Sequence, residues 1–200
     1  MKVSYEPYYS EFKKRGGIMH INENVGKYRL KSAICKKGHI QISTLDEDES
    51  CENHFCPLCG SEVVENCFFC ASPIPGGYAK ITSELQNFIT GERMERITKY
   101  KNIEIPNYCY QCGKPYPWTE KFLKDYRELL ELNLESEVEL QDKIYNATVE
   151  VLQNQSDIKN ISVQLLKSYL NKTTRVTKEL LLNTLSTICS ESLINFLGKI

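Results

Sequence analysis

The sequence predicts an α+β protein: two small zinc-ribbon β modules followed by an all-α bundle of about four helices. Three observations predict it. Eight of the nine cysteines lie at or before Cys112, whereas the remaining 88 residues hold only Cys189. The early cysteines recur in short clusters, Cys35-Lys-Lys-Gly-His39, Cys56-Pro-Leu-Cys59-Gly60, Cys67-Phe-Phe-Cys70 and Cys109-Tyr-Gln-Cys112-Gly113. After Trp118 the apolar residues fall into helical spacing.

Two residues between cysteines is the spacing at which a tight turn aims both sulfurs at one ion. A glycine after the second cysteine lets backbone N–H groups turn toward the thiolates. Each cluster is half of a tetrahedral site, so four halves predict two Zn²⁺ per chain. Order and loop length pair Cys35 and His39 with Cys56 and Cys59, and Cys67 and Cys70 with Cys109 and Cys112. Cys51, or His54, could replace His39, whose spacing from Cys35 is one residue longer than in the other clusters. Gly38 supplies a flexible turn and imidazole reaches farther than a thiol, which favours His39. Both sites would be closed by four protein ligands, the arrangement of structural rather than catalytic zinc. Neither HExxH, nor GxSxG, nor a Gly-rich phosphate loop with lysine occurs, so no catalytic residue is predicted.

Composition narrows the function classes. The N-terminus, MKVSYEPYYSEFKKR, has no apolar core of a secretion signal, which predicts the reducing cytoplasm and metal-bound rather than disulfide-linked cysteines. The sequons at Asn146, Asn160 and Asn171 are then incidental. No apolar run approaches a membrane span. The formal net charge of −1 counts thiols as neutral; seven thiolates and two Zn²⁺ would bring it to about −4. That balance disfavours a general polyanion binder, although residues 1–45 hold nine Lys/Arg against three Glu. The acidic run Asp46-Glu-Asp-Glu49 reads as a solvated loop.

In chain order, residues 1–27 read as an extension mixing Tyr5, Tyr8, Tyr9 and Phe12 with Lys13, Lys14 and Arg15. The codons for Lys13 to Gly17 are necessarily purine-rich and precede Met19, which marks Met19 as a candidate start of translation. The first ribbon, residues 28–66, takes a strand from Tyr28 to Ile34, a second from Ile40 to Ser43, and Val63-Val64 to complete a small sheet. The second, residues 67–118, carries a long insert. Thr82-Ser83-Glu84 with Leu85, Phe88 and Ile89 predicts a short helix there, and Ile103 to Ile105 a strand before the last cluster.

The helical domain, residues 119–200, opens at Thr119 as an N-cap, with Trp118 and Leu123 stapled across it, and runs through Phe122, Tyr126, Leu129 and Leu130. Ser136-x-x-Glu139 is a capping box for a second helix through Ile144, Tyr145, Thr148 and Val151. A third uses Ile158, Ile161, Leu165, Leu166 and Tyr169. The fourth runs from Leu181 to Leu197, with Cys189 on its apolar face. Four amphipathic helices with short breaks predict a small bundle.

The succession Cys35 to His39, Phe55 to Gly60, Cys67 to Ile74 and Tyr108 to Glu120 resembles an uncharacterised bacterial family of double zinc-ribbon proteins with a helical C-terminal half. Gly113-Lys-Pro-Tyr-Pro-Trp-Thr119 is the most specific part of the match. The resemblance covers residues 28–150 well, the last two helices weakly, and residues 1–27 not at all. It implies His39 rather than Cys51 as a ligand, because Cys51 falls in a variable loop, and it implies no known activity.

Two prolines fix an extended path through Lys114 to Trp118, so Tyr116 and Trp118 are predicted to be held where ribbon meets helices, as glue or as an aromatic anchor for a partner. The expected function is therefore non-enzymatic: zinc ribbons presenting a surface to a protein partner. The alternative is a nucleic-acid binder whose phosphate-contacting face includes Lys13 to Arg15, Lys27, Arg29, Lys31, Lys36 and Lys37. An enzyme with a cleft between the domains is the third.

Overall fold

A computed structural model describes residues 26–86, 93–101, 104–153 and 160–198. The N-terminal extension, the basic cluster Lys13 to Arg15 and the candidate start at Met19 lie outside these residues. The chain divides into two compact units, residues 1–106 and 107–200.

All described strands belong to the first unit and form one antiparallel sheet: β1 (Gly26–Cys35), β2 (Ile40–Leu45), β3 (Val63–Val64), β4 (Pro75–Gln86) and β5 (Arg93–Tyr100). The order is β2-β1-β4-β5, with β3 also on β1. β1 is the shared element. It pairs β2 from Lys31↔Leu45 to Ile34↔Ile40, β3 at Ile34↔Val64, and β4 from Gly26↔Ile81 to Lys31↔Pro75. Buried Ala33, Leu45 and Cys51 form a small core against it.

Two expectations change here. The strand that follows the Cys67–Cys70 cluster joins the sheet of the first cluster, so the two β modules are continuous. Gly76 makes this possible: a Cβ there would lie 2.6 Å from the carbonyl oxygens of Lys31 and Ser43, so only glycine lets β4 approach so closely. The expected helix from Thr82 is instead the end of β4, which pairs with β5 as far as Gln86↔Arg93. A ladder to β5 satisfies this backbone residue by residue, whereas an isolated seven- or eight-residue helix is marginal. Phe88, Ile89 and Ile103 lie outside the described residues, and Glu104 and Ile105 are in no strand.

Among the described residues the second unit holds five helices: α1 (Pro117–Asn133), α2 (Val138–Gln153), α3 (Ile161–Leu170), α4 (Arg175–Leu185) and α5 (Glu191–Gly198). One face of each is buried, with Tyr126 and Leu130 of α1, Ile144 and Val151 of α2, Leu166 and Leu170 of α3, Leu181 and Leu185 of α4, and Leu193 and Leu197 of α5 in one apolar core. Cys189 packs at its margin, and burial pushes its thiol up to about 12.

The expected fourth helix is split in two. Ser186 Oγ donates to the Asn183 carbonyl and Thr187 Oγ1 to that of Thr184, local bonds that compete with the helical ladder and end α4. Two caps also differ. α1 starts at Pro117, whose missing N–H costs nothing at a first turn, and Thr119 is buried inside it, donating to Asn107 Oδ1 at 3.3 Å. Ser136 lies in the turn before α2, while Glu139 pairs with Lys143. Asn160 and Thr174, by contrast, cap α3 and α4, accepting from the N–H groups of Ser162 and Thr177.

Candidate metal centres

Three of the four clusters are the same turn. In each, the first cysteine donates its N–H to the carbonyl five residues on, Cys56 to Ser61, Cys67 to Ser72 and Cys109 to Lys114, all at 2.8 Å. The residue after the second cysteine then returns its N–H to the first cysteine's carbonyl, from Gly60, Ala71 and Gly113. That residue is left-handed every time, at φ +66° for Gly60, +57° for Ala71 and +69° for Gly113. The Cys35 turn is built differently: Gly38, at φ +91°, swings His39 round, and the His39 N–H donates to Cys35 Sγ at 3.3 Å.

These turns gather two groups of ligand-type side chains. One consists of Cys35, His39, Cys56 and Cys59, the other of Cys67, Cys70, Cys109 and Cys112; within each, one ligand atom per residue lies within 4.8 Å of all the others. In the first group Cys35 Sγ is 3.7 Å from Cys59 Sγ and 3.5 Å from His39 Nδ1, and Cys56 Sγ is 3.6 Å from the same nitrogen. A tetrahedron with metal–sulfur bonds of about 2.3 Å and a metal–nitrogen bond of about 2.0 Å has edges of about 3.8 and 3.5 Å. A disulfide would bring sulfurs to about 2.05 Å. The spacing suits four ligands of one ion, and either group could hold a metal.

The electrostatics of the first group favour thiolate. The hydroxyl and N–H of Ser61, with His39 and Cys35 beyond them, hold the Cys59 thiol down to about 6. Against the cost of burial, the Leu58 N–H and His39 keep Cys56 below the ordinary thiol range. Burial pushes Cys35 up instead, and Cys59 and Cys56 raise the His39 imidazole. A cation at the centre would favour the ionised sulfurs and displace the imidazole proton.

Sequence reasoning missed the supporting residues. Gln41 Nε2 reaches both the His39 carbonyl at 3.0 Å and Cys56 Sγ at 3.3 Å, and Ser72 Oγ lies 3.1 Å from Cys70 Sγ. The common Ser two residues after Cys59 and after Cys70 was the available signal. Cys51 and His54 belong to neither group. Cys51 is buried, its N–H donating to Glu65 Oε1 at 2.6 Å, and His54 is exposed.

The other predicted binding residues are not gathered into a site. Tyr116 and Trp118 stack at 4.8 Å and are buried, 2% and 6% exposed, so neither presents a ring as a surface anchor. Lys36 pairs with Glu62 at 2.5 Å and Lys31 with Glu65 at 3.0 Å, which breaks up the expected basic face; Lys37 is exposed.

No curated protein and no solved structure matches the chain. One family does, over residues 28–197, which takes in both ligand groups and, but for the last residue of α5, the five described helices. It is described as an uncharacterised protein conserved in bacteria, and the chain belongs to that family, DUF2321.

Proposed function

We propose that this is a non-catalytic, cytoplasmic zinc protein whose metal-stapled knuckles present apolar side chains to a protein partner. The observation that carries the reading is at the turn tips. Each pair of cysteines encloses an exposed apolar side chain: Leu58 at 76%, Phe69 at 62% and Tyr110 at 51%. A fold that needed these side chains for its own stability would bury them, and exposed apolar residues on rigid turns are typical of binding surfaces.

Zinc is supported by the donors. Thiolate-rich four-ligand sets suit a borderline-soft, redox-inert ion that prefers a tetrahedron. Four protein ligands leave no position for water or substrate, which argues for a structural ion. All nine cysteines are free of disulfides, in keeping with a reducing compartment. No described helix is long and apolar enough to cross a membrane.

The test is a crosslinking pull-down from the native host, comparing the wild-type chain with Leu58→Asp and Phe69→Asp. Proteins captured by the wild type and lost from both variants, with zinc content unchanged, would support the reading. Identical captures would overturn it.

A further inference from the structure

The sheet carries a second surface, unrelated to the knuckle tips. Paired residues on adjacent strands point to the same side. Arg29↔Tyr78↔Tyr100 form one row across β1, β4 and β5, and Lys27↔Lys80↔Thr98 the next. Tyr78 and Tyr100 stack at 4.7 Å, and Lys27 Nζ sits 3.7 Å from the centre of the Tyr78 ring. Cation, ring and ring thus form a continuous stack across three strands. It ends at Tyr100, which is 40% exposed on the edge strand of the described sheet.

Charge is segregated between the faces. The alternate row, Tyr28↔Ala79↔Lys99, points the other way. There Lys99 binds Asp46 at 2.6 Å and Glu49 at 3.1 Å, and the Tyr28 hydroxyl donates to Asp46, so the acidic loop is held on that side. The face with Tyr78 and Tyr100 carries Lys27, Arg29 and Lys80. Among the described residues, neither Lys27 nor Lys80 joins the ion pairs of this unit, which use Lys31, Lys36 and Lys99. Lys27 and Arg29 recur every second residue, about 6.8 Å apart along the strand, a step comparable to one extended nucleotide.

We propose that this face of β1, β4 and β5 binds single-stranded nucleic acid, with Tyr100 as the platform on which a base stacks and Lys27, Arg29 and Lys80 contacting phosphates. Cations beside an open aromatic face are the arrangement that holds single strands without reading their sequence. An acidic peptide would use the cations and leave the ring idle. A duplex keeps its bases paired and cannot stack on it.

The experiment is fluorescence anisotropy of the zinc-loaded full chain with a labelled oligothymidylate at low salt. The strand is expected to bind, with affinity falling steadily as salt rises. Tyr100→Thr, which keeps strand propensity, is expected to weaken binding about fivefold to a hundredfold at an unchanged salt slope, whereas Tyr100→Phe retains it. Lys27→Gln and Lys80→Gln are each expected to reduce the slope by roughly 0.7. Zinc content and circular dichroism establish that every variant is folded, and Val176→Thr, at an exposed position of α4, should bind as the wild type does. Absence of binding at low salt, equal affinity for a duplex, preference for anionic lipid vesicles, or variants that all bind alike would each overturn the proposal.

Discussion

Glu65 and Lys31 form an ion pair at 3.0 Å with side chains only 17% and 11% exposed. The other carboxylate oxygen of Glu65 accepts the Cys51 N–H, and its backbone carbonyl accepts the Ile74 N–H that leads into β4. One residue therefore fixes β1, the loop before the second cluster and the start of the next strand. Glu65→Ala would strand the Lys31 ammonium and the Cys51 N–H, at a cost of about 3 kcal/mol. Glu62→Ala, removing the exposed partner of Lys36, should cost under about 0.5 kcal/mol. Urea unfolding of the two variants checks the contrast; equal midpoints would refute it.

Ala71 occupies a position that its counterparts Gly60 and Gly113 fill without a side chain. An L-residue held left-handed is strained by about 1–2 kcal/mol. Ala71→Gly should therefore stabilise the second metal group by about 1 kcal/mol. Gly60→Ala and Gly113→Ala should destabilise theirs by a similar amount, through backbone strain alone, since a Cβ at either glycine meets nothing within 4 Å. Zinc competition against a chelator measures all three, and an Ala71→Gly protein that released its ion more readily would contradict the argument.

Gly76→Ala faces a different obstacle, because the new Cβ would meet two backbone carbonyls at 2.6 Å, and backbone cannot swing aside as a side-chain tip can. The cost should reach about 3 kcal/mol, through separation of β4 from β1 and β2. Thermal unfolding decides it: a melting temperature within a degree of wild type would mean that the strands are not held so closely.

Ala71 and Gly76 also show what the sequence concealed. The clusters of thiols were legible because a knuckle is local: its two cysteines, its turn and its hydrogen bonds lie within seven residues. Helix existence was legible for a related reason, since Tyr126 and Leu130, Ile144 and Val151, and Leu166 and Leu170 each fall on one buried face of their helix. Gly76 reads as part of a Pro-Gly turn, because nothing nearby reveals that Lys31 and Ser43 will press against it. Thr82 to Gln86 opens a stretch with helical spacing and a capping residue, yet the ladder to β5 makes those five residues strand. Ser186 to Ser190 interrupts an apolar period that continues on both sides, so the break between α4 and α5 is visible only in where the hydroxyls bond.

Ser61 sets the acid limit of the first centre. Its hydroxyl and N–H hold the folded Cys59 thiol at about 6, below the value of about 8.5 for an unfolded chain. With the folded value depressed, the stabilisation is present above the unfolded value and disappears as pH falls through about 6. Metal and proton compete for that sulfur, so zinc affinity should begin to fall in the same range, with release at lower pH. Ser61→Ala removes the hydroxyl and should move both the thiolate titration of the apo protein and the pH of zinc release upward. Thiolate absorbance and zinc release followed against pH test this, and an unchanged thiolate titration would sink the assignment.

Removing metal should affect the two halves unequally. The apolar core built from Tyr126, Leu130, Ile144, Leu166 and Leu181 contains no member of either ligand group. In the sheet, by contrast, β1 ends at Cys35, β2 begins directly after His39, and β3 lies between Cys59 and Cys67, so these strands are tied to the ligand turns at their ends. Structural zinc in such sites contributes on the order of 10 kcal/mol. Native mass spectrometry should find two zinc ions per chain, one in Cys59→Ala or Cys109→Ala, and two again in His39→Cys, which keeps four donors. Chelation should abolish protection of the β1 amides from hydrogen exchange while leaving the α2 and α3 amides protected. Loss of protection in both halves at once would show that the helical core depends on the metal.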